Sequence, residues 1–288
     1  MKKKFLQQGS RTLFLACACL SVGAVALICW FIFYNAIPAL SEIGVFKFLF
    51  TSGWKPTSRP QEFGILYMLL GSIYVTAGAI VIGVPIGVLS AVYLAKFCPK
   101  RLYPIFSQAV SLLAGIPSIV YGFFGMMVLV PMIRQNLGGN GNSILAASLV
   151  LAIMILPTII SISENAIRAV PRAYFEGALA LGATREESIF KTILPAAKSG
   201  VVTAVVLGIG RAVGETMAVV MVAGNSNILP VDILKPVRTL TANIVLEMGY
   251  ASDLHYDALI ATGAVLFVLI LILNACLGLI SSRKGARL

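Results

Sequence analysis

The sequence predicts an all-α polytopic membrane protein with six transmembrane helices, and three observations carry that prediction. Of its 288 residues, 59% are hydrophobic and only 11% are charged, against about 45–50% and about 25% in an ordinary soluble domain. The mean hydropathy is +0.95. Six stretches are long and apolar enough to cross a bilayer core, which takes about 20 helical residues. They cover roughly 12–34, 65–94, 105–132, 143–162, 200–223 and 258–280. This balance excludes a disordered chain, a nucleic-acid-binding basic domain and a conventional water-soluble enzyme. The intervening segments are too short for a second core, so residues 1–288 read as one membrane domain.

The first span follows Lys2, Lys3 and Lys4, as the core of a signal peptide would. Its apolar run is about 23 residues, however, against about 7–15 for such a core, and no small-residue cleavage site closes it. It ends in Trp30 and Tyr34, residues that favour the membrane interface. It therefore reads as a retained helix. The connection over 35–62 holds Phe46, Phe48, Phe50, Trp54, Pro56 and Pro60, a composition expected to lie along the membrane surface.

Spans two, three and four carry no charge, and each contains a proline at Pro85, Pro117 or Pro157. A proline inside a helix removes a hydrogen bond and bends it. In span three Pro117 lies between Gly115 and Gly122. These three residues are hinge candidates, with a simple packing irregularity an equal reading. The stretch Arg134–Asn142, rich in glycine and asparagine, is a short flexible turn.

The connection over 163–199 predicts a helical hairpin. Pro171 suits a helix start, Arg172–Leu181 is built mostly of helix formers, and Gly182 suits a helix end. Thr184 and Glu187 then have capping-box spacing. Glu187 and Lys191 form a favourable pair four residues apart, and Pro195 is expected to stop the second helix before span five. Such a projection has no transport chemistry of its own. Its expected use is docking a partner, against the plainer reading of a solvated connector.

Span five is the only span with ionisable residues, Arg211 and Glu215. One turn apart, they are expected on one face of a continuous helix. A central arginine costs roughly 2.5–3.5 kcal/mol on insertion scales, so it must face protein or water. A neutralising Arg–Glu pair that locks helices together is one reading. An anion pathway is the favoured one, because two leucines would lock helices without the desolvation cost and a guanidinium grips oxyanions with paired hydrogen bonds. Gly210 and Gly214 have the spacing that allows a partner helix to approach closely.

The last connection, 225–256, contains Pro230, Pro236, a short helix near Thr239–Met248, and the single histidine, His255. His255 reads as an interfacial polar residue rather than a catalytic or metal-binding one. Cys17, Cys19, Cys29, Cys98 and Cys276 all lie in or beside spans or on the basic face, so no structural disulfide is expected, and no metal-ligand spacing recurs. Fifteen basic residues fall on the face that holds both termini and six on the other. By the positive-inside rule both termini are cytoplasmic, and the net charge of +11 is mainly an orientation signal. No Gly-Lys dipeptide occurs, so no Walker A loop is possible. Energy from ATP hydrolysis would have to come from another chain.

The hairpin also resembles a known family. Glu176-Gly177-Ala178, then Gly182, then Leu194-Pro195 is similar to the EAA loop of bacterial ABC-importer permeases, with Gly177 and Thr192 departing from that pattern. The resemblance implies an ABC importer type I permease fold and a loop that docks on an ATPase subunit through Glu176, Ala178 and Gly182. The glycine at 177 would weaken the first hairpin helix locally. In span five Gly210-Arg-Ala-Val-Gly-Glu-Thr-Met-Ala-Val219 resembles the signature of the PstC family of phosphate-importer permeases. Phe63-Gly64, Gly83-Val-Pro-Ile-Gly87 and Gly115–Gly122 add to the likeness, which runs from about residue 60 to 280.

The resemblance implies a permease subunit in a prokaryotic cytoplasmic (inner) membrane, moving inorganic phosphate. Its implied partners are a PstA-like sister permease, a PstB-like cytoplasmic ATPase dimer and a PstS-like extracytoplasmic phosphate-binding protein, besides membrane lipid. No nucleic acid is expected. No cofactor is expected on this chain, ATP and Mg being used by the partner ATPase. Arg211 and Glu215, with the adjoining Thr216, become the expected substrate pathway. Arg211 would meet phosphate, and Glu215 would hold it when no anion is bound or accept a hydrogen bond from a protonated phosphate. A molybdate or sulfate permease, or an ion-coupled secondary carrier, is the alternative.

Overall fold

A computed structural model describes residues 2–285, with side chains over 10–276. The side chains of Lys2, Lys3, Lys4, Arg283 and Lys284, and all of Arg287, lie outside the described residues. In chain order the helices begin with α1 (Lys2–Ile43), α2 (Val45–Phe50) and α3 (Leu66–Val92), with a two-stranded hairpin of β1 (Trp54–Lys55) and β2 (Glu62–Phe63) before α3. Next come α4 (Tyr103–Gly115), α5 (Ser118–Phe124), α6 (Val130–Leu137) and α7 (Ile144–Ala169). The hairpin region holds α8 (Arg172–Ala180), α9 (Arg185–Ser188) and α10 (Leu194–Ala196), followed by α11 (Lys198–Gly214), α12 (Met217–Val222), α13 (Leu240–Glu247) and α14 (Asp253–Gly285). Wide five-residue π turns at Tyr93–Phe97, Gly125–Leu129 and Ile189–Ile193 extend α3, α5 and α9 at their C-terminal ends.

Among the described residues, five helical segments are long and apolar enough to cross a membrane: Ser10–Ile43, Leu66–Phe97, Ser118–Leu137, Ile144–Ala169 and Asp253–Cys276. A sixth is a bent pair, Arg185–Ala196 with Lys198–Gly214, meeting at 69°. The centre of the molecule is α7, on which α3 and α11 pack; α5 and α12 close the same core. Side-chain volume explains the closeness. A Cβ at Gly87 of α3 would sit 2.8 Å from Ile159 of α7, and one at Gly208 of α11 would sit 2.9 Å from the same Ile159. One isoleucine is therefore gripped from two sides by helices whose glycines let the backbones approach, as helix contact in lipid requires. By contrast α1 packs along α14 and leaves Leu13, Phe14, Leu20 and Trp30 exposed, a surface suited to lipid.

The structure corrects several sequence expectations. The first helix runs on to Ile43, well past Tyr34. Half of the loop beyond it turns inward: Phe48, Trp54 and Phe63 are buried with Ala258 and Leu259 of α14, while Phe46 and Phe50 remain exposed. The fourth span continues to Ala169, beyond the expected end at 162, because Ser163 and Glu164 are buried within it. The connection therefore begins at Val170. Pro195 does not stop the second hairpin helix. It occupies the first turn of α10, where its missing N–H costs nothing, and the chain turns at Ala197 instead.

Span three is not one helix. Pro117 drives the preceding Ile116 to ψ 126, as the clash between a proline ring and the residue before it demands. The helix therefore ends at Gly115 and restarts at Ser118. Span five breaks as well, at Glu215 and Thr216.

Candidate transport site and coupling hairpin

The break in span five falls beside the charged residues that the sequence singles out. α11 ends at Gly214, and Glu215 is extended, with φ −71 and ψ 131. The expectation that Arg211 and Glu215 share one face of a continuous helix is therefore wrong. Each end of the break has its own local bonds. The Glu215 carboxylate accepts the N–H of Ala218 at 3.2 Å, so it caps the start of α12. Its carbonyl accepts the Thr241 hydroxyl of α13 at 3.1 Å, and the Thr216 hydroxyl donates to the Gly214 carbonyl at 3.2 Å.

No ion pair joins Glu215 to Arg211 among the described residues, which corrects the expectation that Glu215 holds the arginine when no anion is bound. Arg211 is exposed and has no hydrogen-bond or ion-pair partner among the described residues. It lies in the last turn of α11, where unpaired carbonyls carry partial negative charge and favour a cation. Those carbonyls do not supply the paired acceptors that a guanidinium fork can take.

The second broken span meets the first at this point. α5 packs directly on α12: a Cβ at Gly122 would lie 2.7 Å from the Met221 sulfur and 3.0 Å from the Ala218 backbone. Tyr121 lies within electrostatic reach of Arg211, and its hydroxyl donates across the other break to the Leu113 carbonyl at 2.7 Å. Gly122 is thus a contact point, while Gly115 faces open space, as do Gly210 and Gly214. Among the described residues nothing lies within 4 Å of a Cβ placed at Gly210 or Gly214; in α11 the close approach to α7 belongs to Gly200 and Gly208 instead. With Thr203, Leu207 and Arg211, Gly214 forms an exposed stripe along one side of α11.

The hairpin folds as its residues dictate. Gly182 takes φ +89, a left-handed conformation that glycine reaches without the steric cost other residues meet. The Gly182 N–H bonds the Leu179 carbonyl at 2.9 Å, and the Ala183 N–H bonds the Ala178 carbonyl at 3.1 Å. Both halves of the Thr184–Glu187 capping box form at 3.2 Å, and Lys191 reaches the Glu187 carboxylate at 2.8 Å. The Lys191 hydrogen bond, with the Thr184 backbone, holds the Glu187 carboxyl below the usual carboxylate range. Glu176, Gly177 and Gly182 are exposed and Ala178 is half-buried. Gly177 and Ala178 line an apolar hollow of about 590 Å³ with Tyr174, Leu181, Lys191 and Thr192. Leu181 is 91% exposed, an uncommon position for a leucine on a surface facing water. Leu194 packs into the small core beneath the hairpin, and Pro195 is exposed.

One polar assembly lies beyond what the sequence singles out. Glu247, 6% exposed, accepts the Arg238 guanidinium at 2.6 Å on one oxygen. On the other it meets the Trp54 indole N–H at 2.7 Å and His255 Nε2 at 2.9 Å. Arg238 also donates to Asn243 at 3.0 Å and to the Asn225 carbonyl at 3.0 Å. His255 is accordingly a buried structural partner at this end of the bundle. The only local clue in the sequence is the spacing of Asn243 and Glu247, one helical turn apart. Among the described residues no cluster of three or more His, Cys, Asp or Glu side chains is placed to hold a metal.

Broken spans that meet beside an uncompensated arginine, joined through an elbow to an apolar-faced hairpin, define a multi-span transport protein. Comparison with known proteins makes this specific. Residues 83–285 match the family profile described as "Binding-protein-dependent transport system inner membrane component", and the chain belongs to that family of ABC-transporter permeases. It is 38% identical over 279 residues to the Bacillus subtilis (strain 168) protein named "Probable ABC transporter permease protein YqgH", covering 95% of this chain and 90% of that protein. It is 35% identical over 287 residues to the Mesorhizobium japonicum "Phosphate transport system permease protein PstC", covering 92% and 86%. Among solved structures, a bacterial alginate ABC transporter superposes with a TM-score of 0.65 at 16% identity, over 94% of each chain. The MetNI methionine ABC transporter in an inward-facing conformation superposes with a TM-score of 0.61 at 22% identity, over 79% of this chain and 99% of that one. These likenesses identify the type I ABC-importer permease fold.

Proposed function

We propose that this permease subunit imports inorganic phosphate, and that Arg211 is the residue the anion meets on its way through. The carrying observation is an exposed guanidinium at the break in span five with no acceptor among the described residues. Its free hydrogen-bond donors fit a tetrahedral oxyanion. The naming of several relatives as phosphate transport system permeases supports phosphate over other oxyanions. Glu215 and Thr216 line the same break. Glu215 fixes the local backbone through Ala218, and its second carboxylate oxygen is free to accept a hydrogen bond from a protonated phosphate.

The rest of the assembly follows from the same reading. Both termini lie in the cytoplasm. The open stripe of Thr203, Leu207, Arg211 and Gly214 faces a PstA-like sister permease, so that the pathway is completed between two chains. The hollow around Gly177 and Ala178, with Leu181 at its rim, seats on a PstB-like ATPase dimer, where ATP and magnesium are used; this chain holds no cofactor. A PstS-like phosphate-binding protein delivers the anion to the opposite face. Gly115 and Pro117 form the hinge, and Gly122 anchors α5 to α12.

The test is phosphate uptake in cells that depend on this protein, comparing the natural chain with Arg211→Leu. Loss of one or two charge-assisted hydrogen bonds, about 1.5–3 kcal/mol each, lowers uptake by roughly a hundredfold while the complex still assembles. Unchanged uptake in an assembled complex removes the pathway role. Competition by sulfate or molybdate equal to that by phosphate removes the substrate assignment.

A further inference from the structure

A second groove lies on the other side of the hairpin, between α8 and the end of α3. Its volume is about 530 Å³, and its walls include Lys96, Arg172, Phe175, Glu176 and Arg185 above an apolar floor at Ile193. Two of the cations at this corner, Arg185 and Arg168, are held in place. Arg185 donates to the Lys96 carbonyl at 2.7 Å, with its guanidinium 5.6 Å over the Phe97 ring. Arg168, just behind, pairs with Glu164 at 2.7 Å, donates to the Leu94 carbonyl at 2.9 Å and lies 4.3 Å over the Tyr103 ring.

Lys96 is within electrostatic reach of both Arg168 and Arg172. Neither Lys96 nor Arg172 forms an ion pair among the described residues. Four cations therefore share this corner with two carboxylates, and Glu164 is already committed to Arg168. Like charges so arranged repel, and the fixed hydrogen bonds of Arg168 and Arg185 keep them from moving apart. An anion shared by Lys96 and Arg172 relieves the repulsion. Guanidinium and ammonium groups both bind phosphate oxygens well, and Phe175 and Leu179 offer a surface for an apolar stem.

We propose that this groove binds a phosphate-bearing anion, supplied by the headgroup of an anionic phospholipid or by free inorganic phosphate. Its position in the inner leaflet rests on the orientation proposed above; the binding does not. The full chain in neutral detergent is titrated with phosphatidylglycerol, read by native mass spectrometry, and with inorganic phosphate, read by calorimetry. Phosphatidylcholine, zwitterionic with no net charge, serves as the reference. At least one probe binds the natural chain, and Lys96→Gln/Arg172→Gln weakens that binding roughly thirtyfold, given the usual contribution of each basic residue beside an anionic surface. Lys96→Arg retains it. The phosphate titrations are run in an Arg211→Leu background, where the pathway site proposed above is removed and the binding that remains belongs to the groove, so a failure of the transport reading and a failure of this one are distinguishable. A response to lipid alone assigns the headgroup, and a response to phosphate alone assigns the free anion.

Three results overturn the proposal. The double variant binds both probes as tightly as the natural chain. The nearby pair Lys100→Gln/Arg101→Gln loses as much, which leaves only a diffuse basic face. Or the double variant weakens association with the ATPase subunit while probe binding is unchanged, which makes the groove a seat for acidic side chains.

Discussion

Replacing Glu247 with glutamine is the sharpest test of how the bundle is tied together at the end opposite the hairpin. The carboxylate accepts from three donors, Arg238, Trp54 and His255. An amide of the same shape has one acceptor oxygen and one donor nitrogen. Whichever way it turns, its N–H faces either the guanidinium or the indole and imidazole. One charge-assisted bond is worth about 1.5–3 kcal/mol and a neutral one about 1 kcal/mol, with a further cost for each buried donor left unpaired. Arg238 is 21% exposed and keeps Asn243 and the Asn225 carbonyl, which softens the loss toward the lower end of the range for breaking a buried pair. The expected destabilisation is about 2–4 kcal/mol. At about 2 °C per kcal/mol for a chain this long, Tm falls by roughly 4–8 °C. Thermal unfolding in detergent, followed by tryptophan fluorescence, reads this directly because Trp54 is one of two tryptophans. A fall of less than about 2 °C refutes the reasoning, since the carboxylate would then not organise its donors. Trp54→Phe removes one donor and keeps the ring, and lowers stability by about 1 kcal/mol.

Three other outcomes are expected from the geometry. Gly208→Ala crowds Ile159 and destabilises the chain by about 1–3 kcal/mol, whereas Gly210→Ala, with open space at its Cβ, leaves Tm unchanged or slightly raised; equal losses at both sites in thermal unfolding would contradict the packing described. Gly182→Ala places a side chain at φ +89 and costs about 1–2 kcal/mol of hairpin stability, seen as faster amide exchange over 172–188 with the spans unaffected. Because the folded-state Glu187 carboxyl is held below its ordinary range, it stabilises the hairpin above the carboxylate range and loses that effect as pH falls through it. Amide exchange at Arg185–Ser188 therefore rises on acidification after correction for intrinsic rates, and Glu187→Gln abolishes the pH dependence.

Much of this architecture is legible in the residues, for identifiable reasons. Span count comes from apolar run length, which lipid enforces directly. The hairpin comes from Pro171, Gly182 and the Thr184–Glu187 pair, whose effects reach only three or four residues. The features that escape a sequence reading depend on contacts between distant segments or on backbone choices between neighbours. Nothing local in Trp54 marks it as a donor to Glu247, 193 residues away. Helical periodicity carries Arg211 to Glu215 on one face, but it does not register that the helix stops at Gly214. Pro117 signals a disturbance, yet only the three-dimensional arrangement shows a complete interruption whose second half packs on the second half of the other broken span. The contrast between Gly208 and Gly210 is hidden for the same reason, since the spacing of small residues is silent on which face a neighbour occupies.

The elbow at Ala197 makes α11 a lever. Thirteen residues separate Lys198 from Arg211, a length of about 20 Å along the helix axis. A rocking motion of about 10° at the elbow would sweep the guanidinium through about 3.5 Å, more than the length of a hydrogen bond. A grip on an anion can therefore be made or broken by an angular change at the elbow, with Gly208 sliding over Ile159 as the arm moves. Motion at the hairpin need not be large to matter at the far end; it needs only to be rigid in between, and a helix of this length is.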